Sequence, residues 1–330
     1  MMIRLGTRRS LLATTQSEGV ADALRALGHD VELVMITTEG DINHAPLETM
    51  GGTGVFAAAL RKSLLAGEVD LAVHSLKDLP VAPEPGLVVT ATPRREDPRD
   101  AVIARDGLTL AQLPQGAVVA TGSPRRVAQL NALGLGVVTR GIRGNVGTRV
   151  AAVTDGKVDA VVLARAGLAR LGRTDEITEV LDPLQMLPAP GQGALALEVR
   201  AEATELRSVL AQLDDFDTRA AVTAERALLA ALQAGCSSPI GALAEVVEEL
   251  DGSLHISLRA FVGSRDGSLE LRRSVTGPIE DAAELGQELA RLLLRDGAAD
   301  VIPQGASPIS DASLPTPEDL VPTIAAERES

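Results

Sequence analysis

The sequence has few of the side chains on which specialised binding sites depend. Its 330 residues include no tryptophan or tyrosine, three phenylalanines, one cysteine and four histidines. The chain therefore lacks the stacking platforms of single-stranded nucleic acid sites, and its formal net charge of −14 opposes attraction to phosphate backbones. One cysteine excludes an internal disulfide and a cysteine-rich metal site, and the histidines show no HExxH-type spacing. We expect neither a nucleic acid partner nor a protein-bound metal.

Long apolar runs are also missing. No stretch approaches the roughly 20 apolar residues needed to cross a bilayer. The N-terminus, MMIRLGTRRS, lacks the apolar segment of a signal peptide. These two features predict a cytoplasmic protein without a membrane partner. Because 45% of the residues are hydrophobic, the chain can bury a full core, and its length suggests two or three domains.

Two passages of the sequence resemble two later ones in the same order. GEVDLAVHSL at 67–76 matches GKVDAVVLAR at 156–165, where Gly-x-Val-Asp leads into an apolar run. Upstream, LGTRRSLLATTQ at 5–16 matches ATGSPRRVAQL at 120–130, where a short turn and an Arg-Arg pair lead into a helical pattern. The matches indicate either two similar lobes or the general likeness of all strand-helix units.

The alternation of apolar runs with amphipathic segments favours mostly parallel sheets covered by helices in the first two hundred residues. After Phe216 the pattern predicts a helix capped by Asp217, then an antiparallel meander. We predict an α/β chain of two similar periplasmic-binding-protein-like lobes followed by an α+β domain with a three-stranded antiparallel sheet. The predicted bounds are 1–93 with 194–211 for lobe 1, 99–187 for lobe 2, 216–302 for the α+β domain and 303–330 for a disordered tail.

Arginines collect in loops that should join strands to helices. They are Arg8 and Arg9, Arg125 and Arg126, and Arg143 and Arg149. Helix N-termini already favour anions, and a guanidinium adds a planar fork that suits carboxylate or phosphate. The sequence therefore predicts a site for a polyanion in the cleft between the lobes. The chain has no GxxxxGK[ST] phosphate-binding loop. The polyanion could still be a phosphate or a ligand that carries several carboxylates.

Two further residues carry chemical possibilities. Asp78 follows a predicted strand directly after Lys77. A carboxylate there would stabilise a developing positive charge or move a proton, or it would only form a surface ion pair with its neighbour. Cys236 lies in the loop QAGCSSPIG and is either a nucleophile or covalent tether, or an inert buried thiol.

The motifs together closely resemble the porphobilinogen deaminase family over about residues 3 to 300. The resemblance rests on GTRRS, HSLKDLP, REDPRDA, GSPRR, IRGNVGTR, PAPGQGA, TAERALL and GCSSPIG in this order. It implies a monomeric, cytoplasmic transferase of haem biosynthesis that joins four porphobilinogen molecules head to tail into hydroxymethylbilane, releasing ammonia at each step. It also implies a dipyrromethane cofactor held by a thioether to Cys236, which makes the α+β domain the cofactor-anchoring one.

The resemblance also implies roles by position. Asp78 corresponds to the catalytic carboxylate, which stabilises the cationic azafulvene formed when the substrate loses ammonia. The cofactor-binding positions are Lys77, Thr121, Ser123, Arg125, Arg126, Arg143 and Arg149. The substrate-binding positions are Arg8, Ser10, Arg170 and Gln192.

Some positions depart from the family pattern. The stretch EGDINHAPLETMGGTGVF resembles the active-site lid but has Thr49 and Thr53 where lysines are expected. Pro124 replaces a leucine, and because proline fits the first helical position we expect no damage. One rival hypothesis is a two-lobed binding protein that captures a dicarboxylate or phosphate without covalent chemistry. The other is a deaminase-like protein that has lost its lid charges.

Overall fold

Lobe 1 is built on a five-stranded sheet in the order β2-β1-β3-β10-β4. The computed structural model describes residues 1–37, 55–234 and 238–302 of the chain. The lid residues Thr49 and Thr53 and the predicted disordered tail therefore lie outside the described residues. The strands of this sheet are β1 Met2–Arg8, β2 Asp30–Ile36, β3 Leu71–Ser75, β4 Leu87–Ala91 and β10 Leu195–Arg200. Its helices are α1 Leu11–Ala26, α2 Val55–Leu65 and α6 Thr204–Leu210.

Lobe 2 has a second five-stranded sheet in the order β7-β6-β8-β5-β9. Its strands are β5 Asp100–Ala104, β6 Val118–Ala120, β7 Val138–Arg140, β8 Ala160–Ala164 and β9 Glu179–Val180. Its helices are α3 Pro124–Ala132, α4 Val146–Thr154 and α5 Arg165–Arg170. Helix α3 begins at Pro124 directly after Ser123, as the fit of proline at a first helical position leads one to expect.

The two sheets have the same order and the same strand directions. In each, a central strand pairs in parallel with two neighbours, β1 with β2 and β3, and β6 with β7 and β8. In each, one strand then runs antiparallel to both of its neighbours, β10 in lobe 1 and β5 in lobe 2. The predicted pair of similar α/β lobes is confirmed. The sheets are mixed, because one strand in each, β10 or β5, runs against the other four. This strand enters its sheet directly from a segment between the lobes.

The repeated Gly-x-Val-Asp sequence has the same structural role in both lobes. The Asp70 carboxylate accepts a hydrogen bond from the backbone N–H of Arg4 in β1 at 3.0 Å. The Asp159 carboxylate accepts one from the backbone N–H of Val118, the corresponding residue of β6, at 2.7 Å. The preceding glycines, Gly67 and Gly156, both have positive φ angles, near 70°, which suit the tight turn from helix to strand. The sequence repeat therefore falls on equivalent elements of the two lobes.

The third domain packs two helices on one antiparallel sheet in the order β11-β12-β13. Its elements are α7 Phe216–Ala231, β11 Ile240–Glu248, β12 Leu254–Gly263, β13 Glu270–Pro278 and α8 Ala282–Arg295. The cap of α7 is Asp215, whose carboxylate accepts from the Thr218 N–H at 2.9 Å, so the prediction of Asp217 was wrong by two residues. Asp217 lies in the first turn instead. The predicted three-stranded meander is confirmed.

Each of the three parts has its own apolar core. Leu5, Leu71 and Leu197 are fully buried in lobe 1, and Val102 and Val119 are fully buried in lobe 2. Leu228 of α7 packs in the core of the third domain. The exact domain bounds stay a prediction. None of the helices within the described ranges is long and apolar enough to cross a membrane.

Candidate active site

Asp78 lies at the carboxyl end of β3, in a single 3-10 turn over Leu76–Asp78. Its side chain is exposed, whereas the backbone on either side of it is held firmly. Leu76 is 1% exposed and its N–H donates to the Ala194 carbonyl at 3.0 Å. The guanidinium of Arg226 in α7 donates to the carbonyls of Leu79 at 3.1 Å and Pro80 at 2.8 Å. The third domain therefore fixes the loop that presents Asp78.

Lys77 points the other way, into the molecule. Its Nζ donates to Oε1 of Gln192 at 3.4 Å. Burial lowers the pKa of Lys77. The charge of Asp78 opposes that shift, the charges of Arg125 and Arg126 reinforce it, and the charge of Asp100 opposes it. Lys77 and Asp78 are thus neighbours in sequence with different surroundings. Asp78 is exposed, whereas Lys77 contacts Gln192, so the two residues form more than a surface ion pair.

Arg125 and Arg126 are buried side chains that share one carboxylate, Asp100 at the start of β5. The two arginines are 3% and 5% exposed, and Asp100 is not exposed at all. Asp100 forms ion pairs with NH2 of Arg125 at 2.8 Å and NH2 of Arg126 at 2.7 Å. Arg125 also donates to the Leu187 carbonyl, and Arg126 donates to the Val162 carbonyl at 3.0 Å. Asp100 therefore offsets part of the positive charge of these two buried arginines.

The carboxyl of Asp100 stays ionised despite its burial. Burial by itself would raise the pKa of Asp100. The charges of Arg125 and Arg126 and hydrogen bonds from Arg126 and Gln192 outweigh that effect, so the pKa lies well below its usual value. The site therefore contains a permanent buried anion beneath its cations.

Arg143 and Arg149 extend the cationic cluster on the side of α4. Nε of Arg149 donates to the Gly144 carbonyl at 2.9 Å, and Arg143 is exposed. Burial lowers the pKa of Arg149, the charges of Arg126 and Arg143 lower it further, and the charge of Asp78 raises it. Arg149 therefore shares one electrostatic environment with cations of lobe 2 and with the carboxylate from lobe 1.

The predicted hydroxyl groups lie at the starts of helices. Ser10 caps α1, and its Oγ accepts from the Ala13 N–H at 3.3 Å. Thr121 is 2% exposed, and its Oγ1 accepts from the Ser123 N–H at 3.3 Å. Ser123 is the N-cap residue of α3 without a capping hydrogen bond from its side chain. The Ser123 hydroxyl therefore does not accept a hydrogen bond from the first turn of α3.

Arg170 and Gln192 meet at the PAPGQGA segment, where the chain passes back from lobe 2 to lobe 1. NH2 of Arg170 donates to the Gly193 carbonyl at 2.6 Å. Nε2 of Gln192 donates to the Pro98 carbonyl at 2.6 Å and to Oδ1 of Asp100 at 2.8 Å. Gly193 needs to be glycine, because its φ is +88° and a Cβ would lie 2.3 Å from the Glu96 carbonyl oxygen. Both predicted residues are therefore held against the crossover segments.

Arg8 lies at the carboxyl end of β1, before the α1 cap, and is half-buried. Arg125 and Arg126 instead follow the α3 cap, so the two Arg-Arg pairs are not structural counterparts. Leu12 in the first turn of α1 lies 3.7 Å from the point where a Cβ at Gly167 would be. The Arg8 loop therefore borders α5, the helix that ends at Arg170.

Sequence reasoning missed two buried acids. Asp100 was quoted only as part of REDPRDA, and Glu225 only as part of TAERALL. Glu225 is fully buried and pairs with Arg95 at 2.7 Å, while its carboxylate also accepts from the N–H groups of Gly191 at 2.6 Å and Ala244 at 2.9 Å. The sequence signal for both acids was their position inside the motifs REDPRDA and TAERALL, where each is close to an arginine. Cys236 lies outside the described residues.

Two family models match the chain. The model described as porphobilinogen deaminase, dipyromethane cofactor binding domain, matches residues 3–208, and the one described as porphobilinogen deaminase, C-terminal domain, matches residues 219–295. A porphobilinogen deaminase from Mycobacteroides abscessus is 58% identical over 305 residues, which is 91% of this chain and 99% of that one. A porphobilinogen deaminase from Nocardia farcinica is 58% identical over 309 residues, which is 92% of this chain and 89% of that one.

A solved structure of another kind is also similar. The lipoprotein Tp32 from Treponema pallidum matches 64% of this chain and 90% of its own at 14% identity, with a TM-score of 0.41.

Proposed function

The chain belongs to the porphobilinogen deaminase family, and from this premise we propose how its own residues divide the work. The reaction condenses four porphobilinogen molecules head to tail into hydroxymethylbilane, with release of ammonia, on a covalently bound dipyrromethane cofactor. The hypothesis of a pure two-lobed binding protein is set aside, because both family models and the 58% identical relatives are those of the enzyme.

The cleft residues fit a cofactor that carries carboxylates. Lys77, Arg143 and Arg149 bring positive charge to one electrostatic environment. The Nε atoms of Arg125 and Arg126 are buried and have no hydrogen-bond partner among the described residues. A buried donor without a partner is costly, and a carboxylate is the acceptor that suits a guanidinium best. We assign these five cations, with Thr121 and Ser123, to the side chains of the cofactor.

Cys236 is the residue we propose as the covalent anchor, since it is the only thiol of the chain. When bound, the dipyrromethane supplies the free pyrrole carbon to which the first substrate is joined. Its attachment by a thioether needs no metal and no second cysteine.

Asp78 is the residue we propose as catalytic. Loss of ammonia from the aminomethyl group of porphobilinogen leaves a positive charge spread over the pyrrole. A carboxylate that is already oriented stabilises this charge without having to reorganise. The exposed Asp78 side chain on a backbone held by Ala194 and Arg226 meets that requirement, and this observation carries the assignment.

The remaining cations are assigned to the incoming substrate and the growing chain. Each porphobilinogen brings two carboxylates, so negative charge accumulates in the cleft and must be offset by fixed donors. Arg8 and Ser10 at the start of α1 and Arg170 and Gln192 at the crossover border the cleft from the two lobes. We propose that Arg8, Ser10 and Arg170 contact substrate rather than cofactor. Gln192, predicted as a fourth contact, is 1% exposed and serves the site through Asp100 and Lys77.

We also propose that the protein works in the cytoplasm as a monomer and without nucleic acid. The acidic balance of the chain supports the last point, because it repels phosphate backbones. Cell fractionation and sedimentation at assay concentration test the first two points.

Intact-mass measurement on protein from a host that makes porphyrins tests the anchor. We expect the wild type to carry a dipyrromethane adduct and Cys236→Ser to lack it. The same samples should be assayed for porphobilinogen consumption and ammonia release, where the variant should be inactive. Wild-type protein that makes the tetrapyrrole at full speed with a bare thiol would overturn the proposal. Adduct without turnover would instead favour a family member that has lost activity with its lid lysines.

A further inference from the structure

We propose that Asp100 is a positioning residue of this reaction. Its buried carboxylate holds Arg125 and Arg126 of lobe 2 and, through Gln192, Lys77 of lobe 1 in one fixed arrangement that receives ligand carboxylates. The inference rests on the proposed function of those three cations, and Asp100 itself contacts no ligand.

The contacts of Asp100 reach both lobes. Oδ1 accepts from NH2 of Arg126 at 2.7 Å and from Nε2 of Gln192 at 2.8 Å, while Oδ2 pairs with NH2 of Arg125 at 2.8 Å. Oε1 of the same Gln192 accepts from Nζ of Lys77 at 3.4 Å. One carboxylate therefore fixes two cations directly and a third through an amide.

Gln192 is a rigid link because its backbone is also held. Its carbonyl accepts from Nε of Arg95 at 2.7 Å, and its N–H donates to the Ala189 carbonyl at 2.9 Å. Its side chain is 1% exposed, so it has no room to turn away. Movement of Asp100 would therefore be passed on to Lys77 rather than absorbed by the link.

Lobe 1 shows that the fold does not require an acid at this place. Asp100 pairs with Ala164 at the end of β8, and the corresponding partner at the end of β3 is Ser75, which pairs with Leu195. The same sheet is thus built in lobe 1 with a buried leucine where lobe 2 has a carboxylate. The acid belongs to the site and not to the architecture.

The carboxylate also sets the charge of its surroundings. Lys77 faces two acids, Asp78 and Asp100, and two guanidiniums, Arg125 and Arg126. If Asp100 were neutral, the guanidiniums would remain and Lys77 would lose its proton at a lower pH. A neutral Lys77 cannot pair with a ligand carboxylate, so the alkaline limit of activity depends on Asp100.

The test compares Asp100→Asn with Glu198→Gln in the full-length protein. Glu198 is an equally buried carboxylate on β10, the counterpart of β5, but it pairs with Arg61 at 2.8 Å and lies three residues further along its strand. Both variants lose a buried anion and both should melt at lower temperature. Cofactor adduct, kcat, KM and the pH profile of kcat/KM are measured per folded molecule.

For Asp100→Asn we expect kcat/KM to fall roughly tenfold, the scale seen when a group that orients a binding residue is lost. The loss should lie mainly in KM, and the fraction carrying the adduct should fall. The alkaline limb of the pH profile should move to lower pH. Glu198→Gln should carry the same fraction of adduct as the wild type, with the same KM and the same alkaline limb of the pH profile.

An Asp100→Asn protein with normal adduct, KM and alkaline limb, whatever its melting temperature, overturns the inference. If that variant does not fold, Gln192→Leu takes its place, because it cuts the link to Lys77 and leaves both arginines paired. A normal KM in Gln192→Leu would then overturn it. A wild type without adduct or turnover would overturn the proposed function itself, which distinguishes the two failures.

Discussion

The two lobes have the same arrangement of strands but different charged side chains at corresponding strand and helix ends. Both helices α1 and α3 follow a serine cap, yet their second residues are Leu12 in lobe 1 and Arg125 in lobe 2. β3 and β8 are equivalent strands of the two lobes. The third residue after each is Asp78 in lobe 1 and Gly167 in lobe 2. The common frame therefore carries an exposed acid next to a lysine in lobe 1 and buried arginines paired with a buried acid in lobe 2.

This difference separates two tasks that the chemistry requires. Carboxylates on the ligand need cations that stay in place, and a transient positive charge on the substrate needs a carboxylate near them. In lobe 1 Asp78 is exposed, while the ammonium of its neighbour Lys77 donates to Gln192. In lobe 2 the acid Asp100 is buried with Arg125 and Arg126, so the exposed acid and the ion-paired arginines come from different lobes.

Loss of the lobe 1 acid should have the largest effect. Asp78→Ala should lower kcat by at least about 100-fold, because the charge that stabilises the developing cation is gone. The cofactor adduct should remain, since its proposed cations and anchor are intact. Turnover and intact mass are measured together, with Asp155→Ala, an exposed acid paired with Lys157, as the control. Near-normal kcat in Asp78→Ala would remove the contrast between the lobes.

The second prediction divides the cations of lobe 2 into buried and open ones. Arg126→Leu leaves Asp100 with one guanidinium in a buried site, so it should lose about 3 kcal/mol of unfolding free energy as well as the adduct. Arg149→Leu should lose adduct or turnover but less than about 1 kcal/mol, because its side chain is less enclosed. Urea unfolding and intact mass check both. Equal stability loss in the two variants would contradict the division.

The third prediction concerns the buried acid of lobe 1. Burial alone would raise the pKa of Glu198, but the hydrogen bond and charge of His74, and then those of Arg61, lower it to about 2. The folded pKa is therefore below the ordinary value of 4.5, and the stabilisation is present above that pH and is lost as pH falls towards 2. Glu198→Gln should be less stable than the wild type by about 3 kcal/mol at neutral pH.

The difference between Glu198→Gln and the wild type should shrink below pH 4.5. Urea midpoints at neutral pH and at lower pH measure it. A gap that stays constant with pH would show that Glu198 contributes by packing and not by its charge.

The smallest expected effect tests the likeness of the lobes. Asp70→Asn and Asp159→Asn each weaken one carboxylate contact to a backbone N–H of a central strand, so each should cost about 1 kcal/mol. Asp70 also pairs with Arg4 at 2.7 Å and Arg200 at 3.4 Å, whereas Asp159 pairs with Arg105 at 2.8 Å, so the loss in Asp70→Asn should be slightly larger. Thermal melts measure them. A loss of stability in only one of the two variants would show that the repeated motif does not stabilise both lobes.

Much of the fold was predictable because it depends on local pattern. The matched passages at 67–76 and 156–165, each read as an apolar run after Gly-x-Val-Asp, contain β3 and β8. The α7 cap was misplaced, since Asp215 and Asp217 are both good caps and only the chain path decides between them. The antiparallel directions of β10 and β5 were missed because direction depends on how the chain crosses between lobes, which no local pattern records.

The candidate site was predictable as a set of residues but not as a set of contacts. Arg125 and Arg126 have the same sequence context as solvated helix-start arginines. Their partner Asp100 lies about 25 residues away, so only the packing of β5 against β8 shows that the pair is buried and ion-paired. The same holds for Glu225, whose partner Arg95 is 130 residues distant in the chain.

The sequence by itself determined the family, the periodic elements and the candidate residues, because each of these is written in short runs of neighbouring side chains. Tertiary structure alone decided which charged side chains are exposed and which form ion pairs inside the protein. The reason is that ionisation and orientation depend on partners brought together by folding. In this chain those partners come from both lobes and from the segments that cross between them.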